Sequence, residues 1–257
     1  MRKVKNKKVI RRLADRSFRA SRTRNIIAVL AIALTAMLFT TLFTLGIGTV
    51  ENFQRATMRQ SGSDCHGVIK NLTKEQYEKL SKDPSIVESA DCMLMADRVE
   101  NEEFLKRHME IWYYPQYHYP HCFIDIIDGR APEAADEILM DDVSMDLLGL
   151  SPEAGQQVTL QLRIKSSDEN VTERTFTVSG VIKADPALDV GFAIVSDAYL
   201  SAHADELVYT YDEDYSPTGV IRMDVMFSNS FSIQKKLDKV IENAGYSTDE
   251  SSPDYVA

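Results

Sequence analysis

One stretch of this chain is apolar on every face. From Ile26 to Val50 the sequence reads IIAVLAIALTAMLFTTLFTLGIGTV, with no charged side chain and no proline. At ~1.5 Å rise per residue such a helix reaches ~37 Å, enough to cross a ~30 Å hydrocarbon core with some tilt. A water-soluble helix of this kind needs protein on all sides, and the rest of the chain is too polar to supply it. A secretory signal has a shorter apolar region and ends at a small-residue cleavage site, which Gly46-Ile47-Gly48-Thr49 matches poorly. The pattern predicts a membrane-spanning helix over 26–50.

Before it, from Lys8 to Arg24, apolar residues recur at Val9/Ile10, Leu13/Ala14 and Phe18, with arginines between them. That spacing predicts a basic amphipathic helix lying in the inner membrane interface. Within the span, Ala28, Ala36, Thr40, Thr44 and Gly48 share a line broken only by Ile32. Small residues so placed let a second helix approach closely; the alternative is that the threonine hydroxyls return to their own helix carbonyls.

After Glu51 the periods of strand and helix alternate. A strand is expected at Cys65–Lys70, then a helix through Leu80, opened by the capping box Thr73-Lys74-Glu75-Gln76 and stopped before Pro84. Ile86–Val99 reads as extended, Cys122–Ile127 as a strand ended by Asp128-Gly129-Arg130, and Glu137–Met140 as a strand. Asp141 opens a short helix closed by Gly149. Val158–Ile164 and Thr175–Ile182 alternate like a hairpin around the polar loop Ser166–Asn170. Phe192–Val195 leads into a helix from Asp197. Val220–Phe227 is a strand before an amphipathic helix carrying Phe231, Ile233, Leu237, Val240 and Ile241. The fold class is α+β: one N-terminal transmembrane helix followed by a mixed α/β domain of one or two subdomains.

Charge assigns sides to these parts. Of the 29 basic and 39 acidic residues, eleven basic and only Asp15 precede Asn25, so the remainder is strongly acidic. The Lys/Arg excess ahead of Ile26 places the N-terminus in the cytoplasm. The division is then a cytoplasmic segment 1–25, a span 26–50 and an extracytoplasmic domain 51–257, in the cell membrane. Because the apolar run follows directly, the basic head faces anionic lipid and not nucleic acid. The three cysteines, Cys65, Cys92 and Cys122, allow at most one disulfide, which is too few for a disulfide-built scaffold.

Little in the sequence carries reaction chemistry. No Walker A pattern, G-x-S-x-G elbow or H-E-x-x-H motif occurs. The one cluster to weigh as a metal site is His118, His121 and Cys122, with Cys65-His66 or His108. His118-x-x-His121 is not a recognised zinc spacing, and the adjacent His121 and Cys122 do not easily share one tetrahedron. No catalytic, cofactor-binding or metal residue is therefore assigned, and no enzyme activity. The aromatic run Trp112–Tyr119 is either a recognition surface or, the expected case, a layer packed over a sheet. Asp212-Glu213-Asp214 reads as solvated loop. Asn71-Leu72-Thr73 and Asn170-Val171-Thr172 match glycosylation sequons of little weight in a bacterial-looking chain.

A resemblance rests on ordered local motifs. Leu13-Ala14-Asp15-Arg16-Ser17-Phe18-Arg19-Ala20-Ser21-Arg22-Thr23-Arg24 runs straight into the span. Further on come Asp128-Gly129-Arg130-Ala131-Pro132, Asp136-Glu137-Ile138-Leu139-Met140, Asp146-Leu147-Leu148-Gly149-Leu150, Gly155-Gln156-Gln157-Val158-Thr159-Leu160 and Phe176-Thr177-Val178-Ser179-Gly180-Val181-Ile182. In this order the set resembles FtsX-like ABC transporter permeases of the MacB/LolE type, in the first span and the periplasmic core domain. Gln156 stands where the family often has Asp, and Trp112–His121 has no counterpart. The resemblance implies a permease subunit, without cofactor, that couples ATP hydrolysis by a separate ATPase to extracytoplasmic conformational change or export, by mechanotransmission. Its implied partners are an ABC ATPase, the bilayer, other permease helices in a dimer, and an extracytoplasmic substrate or protein. The family's later spans are expected to lie outside this sequence. Two other classes remain: a single-pass membrane-anchored sensor or binding module, and an anchored metalloenzyme.

Overall fold

The computed structural model describes residues 7–164, 171–186, 188–207 and 218–256. The chain divides into two units, one ending at Arg55 and the other starting at Ala56.

The first unit is helical. Helix α1, Lys7–Ala20, matches the expected basic amphipathic helix, with Val9, Ile10, Leu13 and Phe18 exposed. Helix α2, Arg22–Ser61, begins in this unit and has 40 residues, none of them buried. It is long and apolar enough to cross a membrane. Leucine and phenylalanine exposed around a whole helix suit hydrocarbon as the solvent, not water. The hydroxyls of Thr35, Thr40, Thr41 and Thr49 donate to carbonyls four residues back at 2.7–2.9 Å. The hydroxyls of these four threonines are thus satisfied inside their own helix. The helix passes the expected end at Val50 because no proline or glycine interrupts it before Gly62, whose φ of +83° ends it.

The second unit is built on a ten-stranded sheet. Its strands are β1 Gly67–Leu72, β2 Ile86–Ala96, β3 Arg98–Val99, β4 Met109–Tyr113, β5 Ile126–Gly129, β6 Glu137–Asp141, β7 Gln157–Arg163, β8 Thr172–Ile182, β9 Gly191–Val195 and β10 Ile221–Phe227. They run in the order β1-β10-β2-β4-β9-β6-β8-β7-β3, with β5 also on β8. The pairs β4–β9 and β6–β8 are parallel, and the others antiparallel. Helices α3 Lys74–Leu80, α4 Asp142–Leu147, α5 Asp197–Ala202 and α6 Ile233–Asn243 complete it. The expected box is present: Thr73 Oγ1 accepts from Gln76 N–H while Gln76 accepts from Thr73 N–H.

Both faces of the sheet are covered at its central strands. Ile138 and Met140 join one apolar cluster with Met95, Ile111, Val178, Met223 and, from α6, Leu237. Leu139, between them, joins a second cluster with Cys92, Tyr114, Tyr119 and Ile194. Successive strand residues point to opposite faces, so a strand buried on both sides reads as a continuous apolar run.

Three expectations change. Cys122–Ile127 is not one strand: Gln116–Cys122 is a 3-10 helix, and β5 starts only at Ile126. Pro120 lacks an N–H for a ladder, and Phe123, at φ +56°, turns the chain in the left-handed region before the strand begins. Met109–Tyr113 is an unforeseen strand whose Met109, Ile111 and Tyr113 are buried in alternation. Phe231 lies before α6 and is exposed, while Leu237, Val240 and Ile241 form the buried stripe. The loop Ser166–Asn170, Asp212-Glu213-Asp214 and the start of the second sequon lie outside the described residues.

The motifs that carry the resemblance converge in one place. Gly129 pairs with Gly180 across β5 and β8. A Cβ on Gly129 would meet Ser179 O at 2.3 Å, and one on Gly180 would meet Arg130 O at 2.5 Å, so the backbones cross where only hydrogen fits. Arg130 makes a two-pronged ion pair with Glu137 at 2.9 and 2.6 Å, and Glu137 also accepts from the N–H groups of Glu133 and Ala134. Asp128 accepts from Ala154 N–H at 2.7 Å, tying in the turn before β7. These residues specify a fold, with no reactive group among them.

Two outcomes are expected. Gly129→Ala, at φ +72° and against backbone oxygen, destabilises the chain by at least ~2 kcal/mol in urea unfolding in detergent. Unchanged stability would show that the crossing relaxes freely. The bond from Arg130 and the two N–H groups hold the Glu137 carboxyl down at about 2, from 4.5. A depressed carboxylate stabilises fully above the unfolded pKa and loses that contribution as pH falls through the folded one. Glu137→Gln is therefore less stable than the parent at pH 7, and the gap closes as pH falls from 4.5 toward 2. A gap independent of pH would refute the ion pair's role.

Candidate functional site

Period-two geometry aims three side chains from adjacent strands at one face. Cys92 on β2 pairs with Arg222 on β10, and Asp224 follows two residues later on the same side. Over this face lies the 3-10 helix Gln116–Cys122, which brings down His118 and Cys122. The segment leaving α2 adds Ser63, Asp64 and Cys65, with Asp64 N–H donating to His121 O at 2.9 Å. Cys92, His118 and Asp224 are buried, and Cys65 and Cys122 half-buried.

The contacts converge on one ring nitrogen. His118 Nε2 lies 3.1 Å from Asp224 Oδ2 and 3.8 Å from Cys65 Sγ. Its Nδ1 is buried without a hydrogen-bond partner, 3.8 Å from Glu88 Oε1. Arg222 Nε donates to Asp224 Oδ1 at 2.9 Å. The donor atoms of Cys92, His118, Cys122 and Asp224 all lie within 4.8 Å of one another, as do those of Asp64, Cys65 and His121. His121 Nδ1 is 2.6 Å from Asp64 Oδ1, and its Nε2 3.5 Å from Glu88.

The electrostatics follow from burial and these bonds. Burial opposes the Asp224 carboxylate, but His118 and Arg222 outweigh it and hold the group below its usual range. Burial likewise opposes a charged His118, yet its bonds to Asp224, Cys122 and Cys65 carry it up to about 12. The closeness of the two thiols, with His118 assisting and burial opposing, lowers Cys122 to about 6 and raises Cys92 well above 9.0. Burial raises Cys65.

This arrangement is not a nucleophile, base and orienting acid in series. Such a relay uses opposite nitrogens of the imidazole, one toward the nucleophile and one toward the carboxylate. Here the Asp224 carboxylate and the Cys65 thiol both lie against Nε2, and Nδ1 is left over. Atoms with lone pairs gathered around one point form a donor set for a cation, or bring Cys92 and Cys122 together as a dithiol.

Of the residues singled out from the sequence, His118, His121, Cys122 and Cys65 come together. His121 and Cys122 fall in separate groups, in keeping with their adjacency. His66 instead accepts from Phe227 N–H at 3.0 Å, and His108 faces Glu110 at 3.5 Å. Sequence reasoning missed Cys92, Asp224, Asp64, Glu88 and Arg222. The aromatic run is largely packed over the sheet: Tyr114 and Tyr119 are buried, Trp112 stacks on Tyr114 and donates to Glu110, and Tyr117, though exposed, donates to Ser89 O.

Beside the cluster lies a cavity of about 230 Å³ bordered by Arg59, Arg107, Tyr114, Cys122, Phe192 and Arg222. Its guanidinium groups are engaged. Arg59 pairs with Asp185 and lies over the Phe123 ring, Arg107 binds Asp141, Ser144 and Val190 O at 2.9 Å, and Arg222 binds Asp224.

No family model matches the chain, and no curated protein does. Solved structures do. The extracellular domain of the noncanonic ABC-type transporter YknZ from Gram-positive bacteria is 11% identical, over 70% of this chain and 93% of that one, at a TM-score of 0.45. The periplasmic region of MacB from Actinobacillus actinomycetemcomitans is 14% identical, over 69% of this chain and 76% of that one, at a TM-score of 0.42. The likeness to these two domains is one of fold alone.

Proposed function

We propose that this chain is the N-terminal portion of an ABC transporter permease subunit of the FtsX/MacB type. In this reading residues 1–25 are cytoplasmic, α2 crosses the bilayer, and the sheet domain lies outside. A separate ATPase drives motions of the spans, and the outside domain acts on a substrate or partner protein. The observation that carries the reading is that α2 does not end with its apolar run. It continues unbroken to Ser61, and its last turn, within the second unit, is held by Arg59 to Asp185 and Phe123 and by Arg222 Nη2 donating to Ser61 O at 3.1 Å. A rigid rod fixed at its end transmits displacement, whereas a flexible linker absorbs it. The ordered motifs from Asp128 to Ile182 support the same reading.

One observation favours a single-pass sensor or binding module. Thr40 bonds its own helix carbonyl, so the line of small residues in the span does not require a second helix.

Capture of the protein from its native membrane in mild detergent is expected to retain an ABC-class ATPase. A membrane-impermeant thiol reagent is expected to reach urea-exposed Cys65 in intact cells. Capture without an ATPase, with that topology intact, moves the reading to the sensor; labelling of Cys65 only after lysis overturns both.

A further inference from the structure

We infer that Cys92, Cys122, His118 and Asp224 form a closed binding site for a thiophilic divalent cation of the zinc class. The inference rests on the donor cluster and is independent of the transporter reading.

Distance is the first argument. Zinc bonds of ~2.0–2.3 Å in a tetrahedron put neighbouring ligand atoms about 3.3–3.8 Å apart. The four donor atoms lie within 4.8 Å of one another, and the nitrogen-to-carboxylate edge is 3.1 Å. Closing the set around an ion needs side-chain adjustments of about 1 Å on the longest edges, within the reach of side-chain rotation. The ligands also come from three separate segments: β2, β10 and the 3-10 helix.

Burial is the second. Cys92 and Asp224 are 0% exposed and His118 1%, with Cys122 half-buried at the cavity edge, and four protein ligands fill the positions of a tetrahedron. A closed four-ligand set is the mark of a structural site, where a catalytic one keeps a position open. Two sulfurs, one imidazole nitrogen and one carboxylate oxygen also select against magnesium and calcium, which take oxygen ligands in larger numbers.

The third argument is the orphaned nitrogen. A metal-bound histidine gives its other ring N–H to a carboxylate or carbonyl, which fixes the ring and its tautomer. His118 has Nε2 turned to Asp224 and Nδ1 buried without a hydrogen-bond partner, with Glu88 Oε1 3.8 Å away. A small shift of the half-exposed Glu88 supplies the acceptor. The vacant Nδ1 contact, a liability in a protein without the ion, becomes the outer-shell bond of one with it.

Charge is the fourth. Two thiolates and a carboxylate around a divalent ion leave one negative charge in a buried place, which is costly unless paired. The Arg222 guanidinium, 2.9 Å from the Asp224 oxygen that faces away from His118, neutralises it. Asp64, Cys65 and His121 stand beside the site, partly exposed, with the His118 and His121 rings 5.4 Å apart. They form an entry path whose donors can hand an ion inward.

The test uses the full chain in detergent, reduced and stripped of metal, with zinc alone titrated against a chromogenic chelator. One zinc per chain is expected, with a Kd tighter than about 1 µM at pH 7. Cobalt in its place is expected to give tetrahedral visible bands and a sulfur-to-cobalt charge-transfer band. Cys92→Ser and Cys122→Ser each weaken zinc at least ~100-fold, and Glu88→Gln ~10-fold; Cys65→Ser and His121→Ala change it little. Weaker binding by the unaltered chain overturns the site without reliance on any variant's folding. So does binding that survives Cys92→Ser and Cys122→Ser but is lost in His121→Ala, which would assign the ion to the outer trio. A chain that isolates with a Cys92–Cys122 disulfide and, once reduced, takes up no zinc also overturns it.

Discussion

The central strands of the sheet are covered on both faces and have no wet side, and that constraint governs the middle of this domain. Every polar side chain buried on these strands must find a partner in protein. On the face that carries Met95, Ile111 and Met223, the problem hardly arises, because apolar side chains meet those of α3 and α6. On the other face Asp224 is carried inward by the same alternation that buries Met223 and Val225. An isolated carboxylate there would cost several kcal/mol, so Arg222 and His118 are drawn to it and the 3-10 helix is pinned above. The cluster of cysteines and histidines follows from how this face is closed.

What was legible in the sequence is what local rules determine. The capping box at Thr73, the helix between Asp141 and Gly149, and the pairing of β7 with β8 each depend on residues close in sequence, and each is present. The long apolar helix was legible because a charge-free run of that length is itself a local signal. Met109–Tyr113 was not, because its alternation merges into the aromatic run and Trp112 on the other face hides the period. Cys122 seemed to open a strand because an apolar segment follows it; the backbone at Pro120 and Phe123 decided otherwise.

The candidate site shows the limit more sharply. His118, His121 and Cys122 could be noticed together because they are neighbours. Cys92 and Asp224 could not, since their proximity depends on the register Cys92↔Arg222 between strands 130 residues apart in the chain. Register is set by hydrophobic patterning over the whole sheet, and a slip of one residue would turn Cys92 to the opposite face. Metal-ligand spacing rules describe sites built on one turn or one knuckle. They do not reach a site assembled across a sheet.

Arg222 joins this cluster to the helix that leads into it. Its Nε holds Asp224, while Nη2 reaches Ser61 O at 3.1 Å and Ser63 Oγ at 3.4 Å, where α2 ends. Asp64, one residue on, is tied to His121 on the 3-10 helix through both backbone and side chain. The end of the long helix is therefore fastened to the same few residues that surround His118. With a cation among Cys92, Cys122, His118 and Asp224, that fastening stiffens, because three segments share one centre and Arg222 remains the counter-charge. Without it, the joint depends on ion pairs and an imidazole with one unpartnered nitrogen. On the proposed permease reading, a domain that receives motion through α2 gains most from stiffness at this joint.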